Sequence, residues 1–130
     1  MNSDTQTITI NVPNDVLFAF LSDPLHMPQW AGAFCSSVER SGDSWLAQTP
    51  LGKVKLACNS NQQSGIIDYE FKPALPIKIM LHSRVIADGS SSQLVLTHYQ
   101  IPFTPEDFFE KQKKKVSEQL VSLKSFMEKN

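Results

Sequence analysis

The sequence predicts an α+β fold: a curved, seven-stranded antiparallel sheet wrapped on one long C-terminal helix, in the order β-α-α-β6-α, with an internal cavity. Three observations lead there. Residues 34–101 read as six short strands joined by turn signals, which implies antiparallel hairpins. The tail reads as a single amphipathic helix, so helices and strands are segregated along the chain. A twisted seven-stranded sheet curls, and one helix about 10 Å wide cannot fill its whole concave face.

The elements follow in order. Residues 7–12 alternate, with Ile8, Ile10 and Val12 on one side and Thr7, Thr9 and Asn11 on the other, as in a half-buried strand. Pro13-Asn14-Asp15 stops it and supplies helix-start chemistry. The pairs Val16/Phe20 and Leu17/Leu21 then give a short helix one apolar face. Asp23-Pro24 repeats the cap-and-proline pattern and opens a second short helix, which Pro28 is expected to break before Trp30. Strands are expected over 34–40, 44–49, 53–59, 66–72, 77–87 and 93–101, with turns such as Gln63-Ser64-Gly65 and Asp88-Gly89-Ser90 between them. Thr104 reads as the N-cap of the last helix, with Pro105 in its first position and Glu106 and Asp107 where the helix dipole favours acids. Phe109, Val116, Leu120, Leu123 and Met127 mark its apolar stripe; over 105–129 the helix spans about 37 Å.

Length and composition set the class. The 130 residues suit one domain, 1–130, with no linker or internal repeat. Lys plus Arg number 12 and Asp plus Glu 13, so the basic footprint of a nucleic-acid binder is missing. No run reaches the roughly 18 apolar residues of a membrane span. The first residues lack the basic start and apolar stretch of a secretory signal, so a cytoplasmic location is expected. Cys35 and Cys58 form no CxxC. On the second and fourth strands they would stand about 9–10 Å apart, beyond disulfide reach.

This order, with particular residues, resembles the SRPBCC or helix-grip superfamily, which includes START lipid-transfer domains, the birch-pollen-allergen family, polyketide cyclases and activators of a heat-shock-chaperone ATPase. The resemblance rests on Ile8-x-Ile10-x-Val12-Pro13, Val16-x-x-x-Phe20-Leu21-Ser22-Asp23-Pro24, Met27-Pro28-x-Trp30, Val38-Glu39-x-x-Gly42-Asp43 and Thr49-Pro50-x-Gly52. Leu94-x-Leu96-Thr97-His98 and the helix ending Leu120-x-x-Leu123-Lys124 complete it. The final strand and helix look most like the chaperone-activator branch, although Lys115-Val116 stands where that branch often carries Gly-Trp. The resemblance implies a START-like domain that binds a small hydrophobic or amphipathic ligand (lipid, aromatic or polyketide-like) between sheet and helix. Its alternatives are a cofactor-independent cyclase, dehydratase or hydrolase, and a protein-interaction module.

Candidate site residues follow from the inward faces. Leu94, Leu96, His98 and Gln100 share one face of the last strand, which puts His98 beneath the helix as a polar anchor, an acid/base or a core histidine. Leu81 and Ser83 lie on the core set of the preceding strand, while His82 and Arg84 point outward. Tyr69 and Phe71 are inward, and the Tyr69 phenol either packs in the core or bonds a ligand. Trp30, Phe34 and Trp45 are a ligand clamp or plain packing, with Trp45 exchanging with Leu46 if the strand phase flips. From the helix come Phe109, Val116 and Gln112; Gln112 and Lys113 break the stripe, marking either a wet cavity beneath the helix or an overhang at the sheet edge. The lysines at 111 and 113–115 read as solvated surface or as attraction for an anionic ligand, and His26 as a solvated first-turn residue. No Walker loop, GxGxxG, GxSxG, metal-ligand spacing, catalytic triad or inward carboxylate pair is present. Nothing in the sequence demands a metal, a cofactor or catalysis, and oligomeric state is left open.

Overall fold

Residues 2–74 and 76–129 are described by the computed structural model. The chain runs β1 (Ser3–Ile10), α1 (Asn14–Leu21), a 3-10 turn (Pro24–His26), α2 (Met27–Trp30), β2 (Ser37–Ser41), β3 (Ser44–Thr49) and β4 (Gly52–Asn61). It continues through β5 (Ile66–Lys72), β6 (Ile79–Asp88), β7 (Ser91–Tyr99) and α3 (Glu106–Met127). The seven strands form one antiparallel sheet in the order β1-β7-β6-β5-β4-β3-β2. Strands β2 to β7 are a meander, and β1 returns to cover the far edge of β7, pairing Asp4 with His98 and Ile10 with Ser92.

One face of the sheet carries the core. Ile10, Ile67, Tyr69, Phe71, Val85, Leu94 and Leu96 meet Leu17 and Leu21 of α1 and Leu120 and Leu123 of α3. Helix α3 is seated unevenly. Leu120 and Leu123 are 2% and 0% exposed, but on its N-terminal side only Phe109 is buried. Between Phe109 and Leu120 about 16 Å of helix has no fully buried side chain. Its C-terminal end is also tied by hydrogen bonds: Lys124 Nζ donates to the Thr9 carbonyl at 2.8 Å, and Glu128 accepts from the Asn11 N–H at 2.7 Å.

Several boundaries differ from expectation, each for a local reason. Strand β1 begins at Ser3 and not at residue 7, because β7 offers a partner as far as Tyr99 and polar side chains occupy the inward positions. The segment 34–36 is a turn: the Ala31 carbonyl accepts from both Phe34 and Cys35, so Cys35 precedes β2 and does not lie on it. Pro28 does not break a helix; it sits in the first turn of α2, where its missing N–H has no helical acceptor. Thr104 does not cap α3. Its hydroxyl turns back to the Ile101 carbonyl, and Pro105 takes the capping position. His26 is not freely solvated, since its ring stacks on Phe20 at 4.4 Å.

Gly65 is required both by its backbone conformation and by the closeness of β6. It has φ +75°, and a Cβ there would lie 2.2 Å from the Val85 carbonyl oxygen. Gly65→Ala is expected to lower stability by about 1 kcal/mol or more in urea unfolding. Cys35 and Cys58 are both free. Burial pushes each thiol up to about 11, and for Cys58 the charges of Asp68 and Asp23 add to it. Both are therefore protonated near neutrality. Neither is expected to react with a thiol reagent at pH 8 until the protein is unfolded, which a timed Ellman assay with and without denaturant would check.

Candidate functional site

The unseated half of α3 roofs a cavity of about 290 Å³, at the lower end of the roughly 300–1,000 Å³ of ligand pockets. Phe34, Phe71, Ile79, Met80 and Leu81 supply its apolar floor and walls. The roof is one face of α3: Phe108, Lys111, Gln112, Lys115, Val116 and Gln119, spaced i, i+3, i+4, i+7, i+8 and i+11. A larger open depression of about 590 Å³ lies on the outer side of the same sheet end, beside His82, Tyr99 and Phe103. Its histidine is already tied to Asp68 at 2.9 Å, and no buried polar group converges there.

A polar network closes the back of the cavity. His98 is 4% exposed, and its ring lies 5.9 Å from that of Phe109. The Gln112 side-chain amide donates to the Tyr99 carbonyl at 2.7 Å and to His98 Nδ1 at 2.8 Å, while its oxygen faces the Ile101 N–H at 3.4 Å. Both amide hydrogens are thus used, so Nδ1 must offer a lone pair and the ring proton belongs on Nε2. From there it is donated to Asp4 Oδ2, 2.9 Å away. Asp4 also accepts from Gln6 at 2.8 Å, and Gln6 reaches the Lys113 carbonyl at 3.1 Å. The neutral imidazole is held between β1 and α3 with both nitrogens occupied.

Burial alone would raise the Asp4 carboxyl, but the hydrogen bonds from Gln6 and His98 outweigh it, with attraction from Lys113, and hold it below the ordinary aspartate value.

Of the residues singled out from the sequence, Phe34, Phe71, Leu81, His98, Gln112 and Val116 line this cavity. Trp30, Trp45, Tyr69, Ser83, Leu96 and Phe109 do not. Trp30 and Leu96 are buried in the core. Trp45 keeps the inward phase of Ala47 and Thr49, half-buried with the Arg40 guanidinium 5.1 Å from its ring. The Tyr69 hydroxyl is spent on the Leu21 carbonyl and that of Ser83 on the Ile67 carbonyl at 2.7 Å, so neither is free to orient a ligand. Phe109 stands behind His98. Gln112 is the member of the stripe break that enters the cavity; Lys113 turns to Glu110 and to the Phe109 ring. Sequence reasoning missed Asp4 and Gln6, whose polarity hid an inward strand face. It also missed the cavity face of Phe108, which its helical spacing from Gln112 and Val116 would have revealed.

No protein-family model and no curated protein sequence matches the chain. Solved structures do. A START superfamily protein from Mycobacterium smegmatis superposes with a TM-score of 0.76 at 14% identity, covering 98% of this chain and 97% of that one. The Aha1 protein from Colwellia psychrerythraea, solved as a dimer, gives 0.76 at 13% identity, with 98% and 97% covered. The Zhui aromatase/cyclase from Streptomyces sp. R1128 gives 0.69 at 18% identity, with 93% and 87% covered. The chain therefore has the helix-grip fold that these structures share. At such identities the likeness is one of fold. Among the described residues no helix is long and apolar enough to cross a membrane, and no three His, Cys, Asp or Glu side chains gather as a metal site.

The depressed Asp4 carboxyl has a consequence with a definite sign. Its stabilisation is complete above the ordinary aspartate value and is lost as pH falls through the lower folded-state value. The urea midpoint of the wild type is therefore expected to exceed that of Asp4→Asn at neutral pH, and the gap to close below about pH 4.

Proposed function

We propose that this protein binds a small hydrophobic or amphipathic molecule in the cavity between the sheet and α3. The observation that carries the reading is the cavity itself: walled by aromatic and aliphatic side chains, and roofed by a helix face with a few polar groups. Removal of apolar ligand surface from water drives binding. The volume favours a ligand of modest size over a long-chain lipid.

Catalysis by His98 has less support than binding. A general base must reach the proton it takes, yet Nδ1 of His98 faces Gln112 and Nε2 faces Asp4. A substrate would have to displace Gln112 from two backbone contacts first. One observation favours a second reading, a protein-contact module: Phe103, beside the open depression on the outer side of the sheet end, is 95% exposed with φ +67°. A co-purifying protein whose capture is lost in Phe103→Ser would support that reading over the first.

The binding reading is tested by filling the cavity. The uncharged probe N-phenyl-1-naphthylamine is expected to brighten on titration with wild-type protein. Val116→Trp, which places a large side chain in the roof, is expected to weaken that binding at least about tenfold while keeping a cooperative melt. Undiminished binding by a folded Val116→Trp protein would overturn the assignment to this cavity.

A further inference from the structure

We propose that the ligand of this cavity is an amphipathic anion, with its acidic head held by Lys111 and Lys115 and its apolar body inside; this rests on the binding reading above. Both lysines belong to the cavity face of α3, one helical turn apart, which puts their Cβ atoms about 5–6 Å from each other. That spacing lets two ammonium groups converge on one carboxylate or phosphate.

Neither ammonium is paired with a carboxylate among the described residues. Lys113 and Lys124 on the same helix do pair, with Glu110 and Glu128. The cavity lining holds no aspartate or glutamate among the described residues, although acids outnumber bases in the whole chain, 13 to 12. The positive character is local to the mouth and is not a reflection of overall charge. Under the lysines the lining turns apolar at Phe108, Met80, Leu81 and Ile79. The buried polar group, His98, has both nitrogens bonded within the protein and so does not compete for the head.

Lysine chemistry suits the task. An ammonium is a point charge on a flexible stem, so the pair accepts either a carboxylate or a phosphate without demanding a planar fork. The stems themselves cover the apolar mouth while the charges remain in water. A cavity of about 290 Å³ suits a ligand of modest size. A medium-length acyl chain or a two-ring aromatic acid meets that limit with its head outside.

The test uses the full chain and three ten-carbon probes, decanoate, decanol and decyltrimethylammonium, titrated by calorimetry at low and high salt. Decanoate is expected to bind at least about tenfold tighter than decanol at low salt, with the margin shrinking as salt rises, and decyltrimethylammonium weakest. In Lys111→Gln/Lys115→Gln the margin of decanoate over decanol is expected to disappear. Equal binding of decanol and decanoate to the wild type would overturn the anionic-head proposal and leave the cavity reading standing. Failure of decanol, decanoate and N-phenyl-1-naphthylamine alike would remove the cavity reading itself. Co-sedimentation with phosphatidylglycerol vesicles without decanoate binding would overturn the soluble-ligand proposal in favour of contact with an anionic membrane surface.

Discussion

The rest of the molecule depends on how α3 is seated. At its C-terminal end Leu120 and Leu123 are driven into the core by apolar burial. Toward the N-terminal end the helix is held by the Gln112 amide, which bridges His98 and the end of β7. A helix fixed at two separated places over a curved sheet cannot also close on the sheet between them. The cavity is the space that this mismatch of shapes leaves, and Phe108, Lys111, Lys115 and Gln119 face it because they share the helix face of Gln112.

That polar attachment is costly to disturb. A buried amide or imidazole left without partners loses about 1–3 kcal/mol, so the network stands only because each member is satisfied. Gln112 fixes the tautomer of His98, His98 presents its proton to Asp4, and Gln6 connects Asp4 to the backbone of α3. The charge in the set stays on Asp4, at the rim of the network and partly open to solvent. An apolar pair in place of Gln112 and His98 would pack the helix equally well, but would not tie the register of α3 to β1 and β7 at once.

Shared fold and shared chemistry separate cleanly here. START, Aha1 and aromatase/cyclase structures superpose over nearly the whole chain, yet those proteins bear different names for different tasks, and the fold supplies only the curved sheet and its covering helix. This chain carries a small apolar cavity, a fully bonded histidine at its back and, at its mouth, two lysines with no carboxylate partner among the described residues. Those features bear on binding more directly than on acid–base work.

Legible from the residues alone were the element order, the seven strands, the inward phase of Tyr69, Phe71, Leu81 and Leu96, and the placing of His98 under the helix. These are legible because alternation and helical spacing are local and apolar burial enforces them. Tertiary structure alone decided which inward residues face a void and which face other side chains. Tyr69 and Ser83 have the right phase, but a carbonyl on α1 or on a neighbouring strand claims each hydroxyl. Asp4 and Gln6 have an unremarkable polar pattern, and only pairing of β1 with β7 brings them to His98. Burial phase depends on a residue's own neighbours along the chain. Which polar atoms are already bonded depends on groups up to 117 positions away, as between Asn11 and Glu128, and no local pattern carries that information.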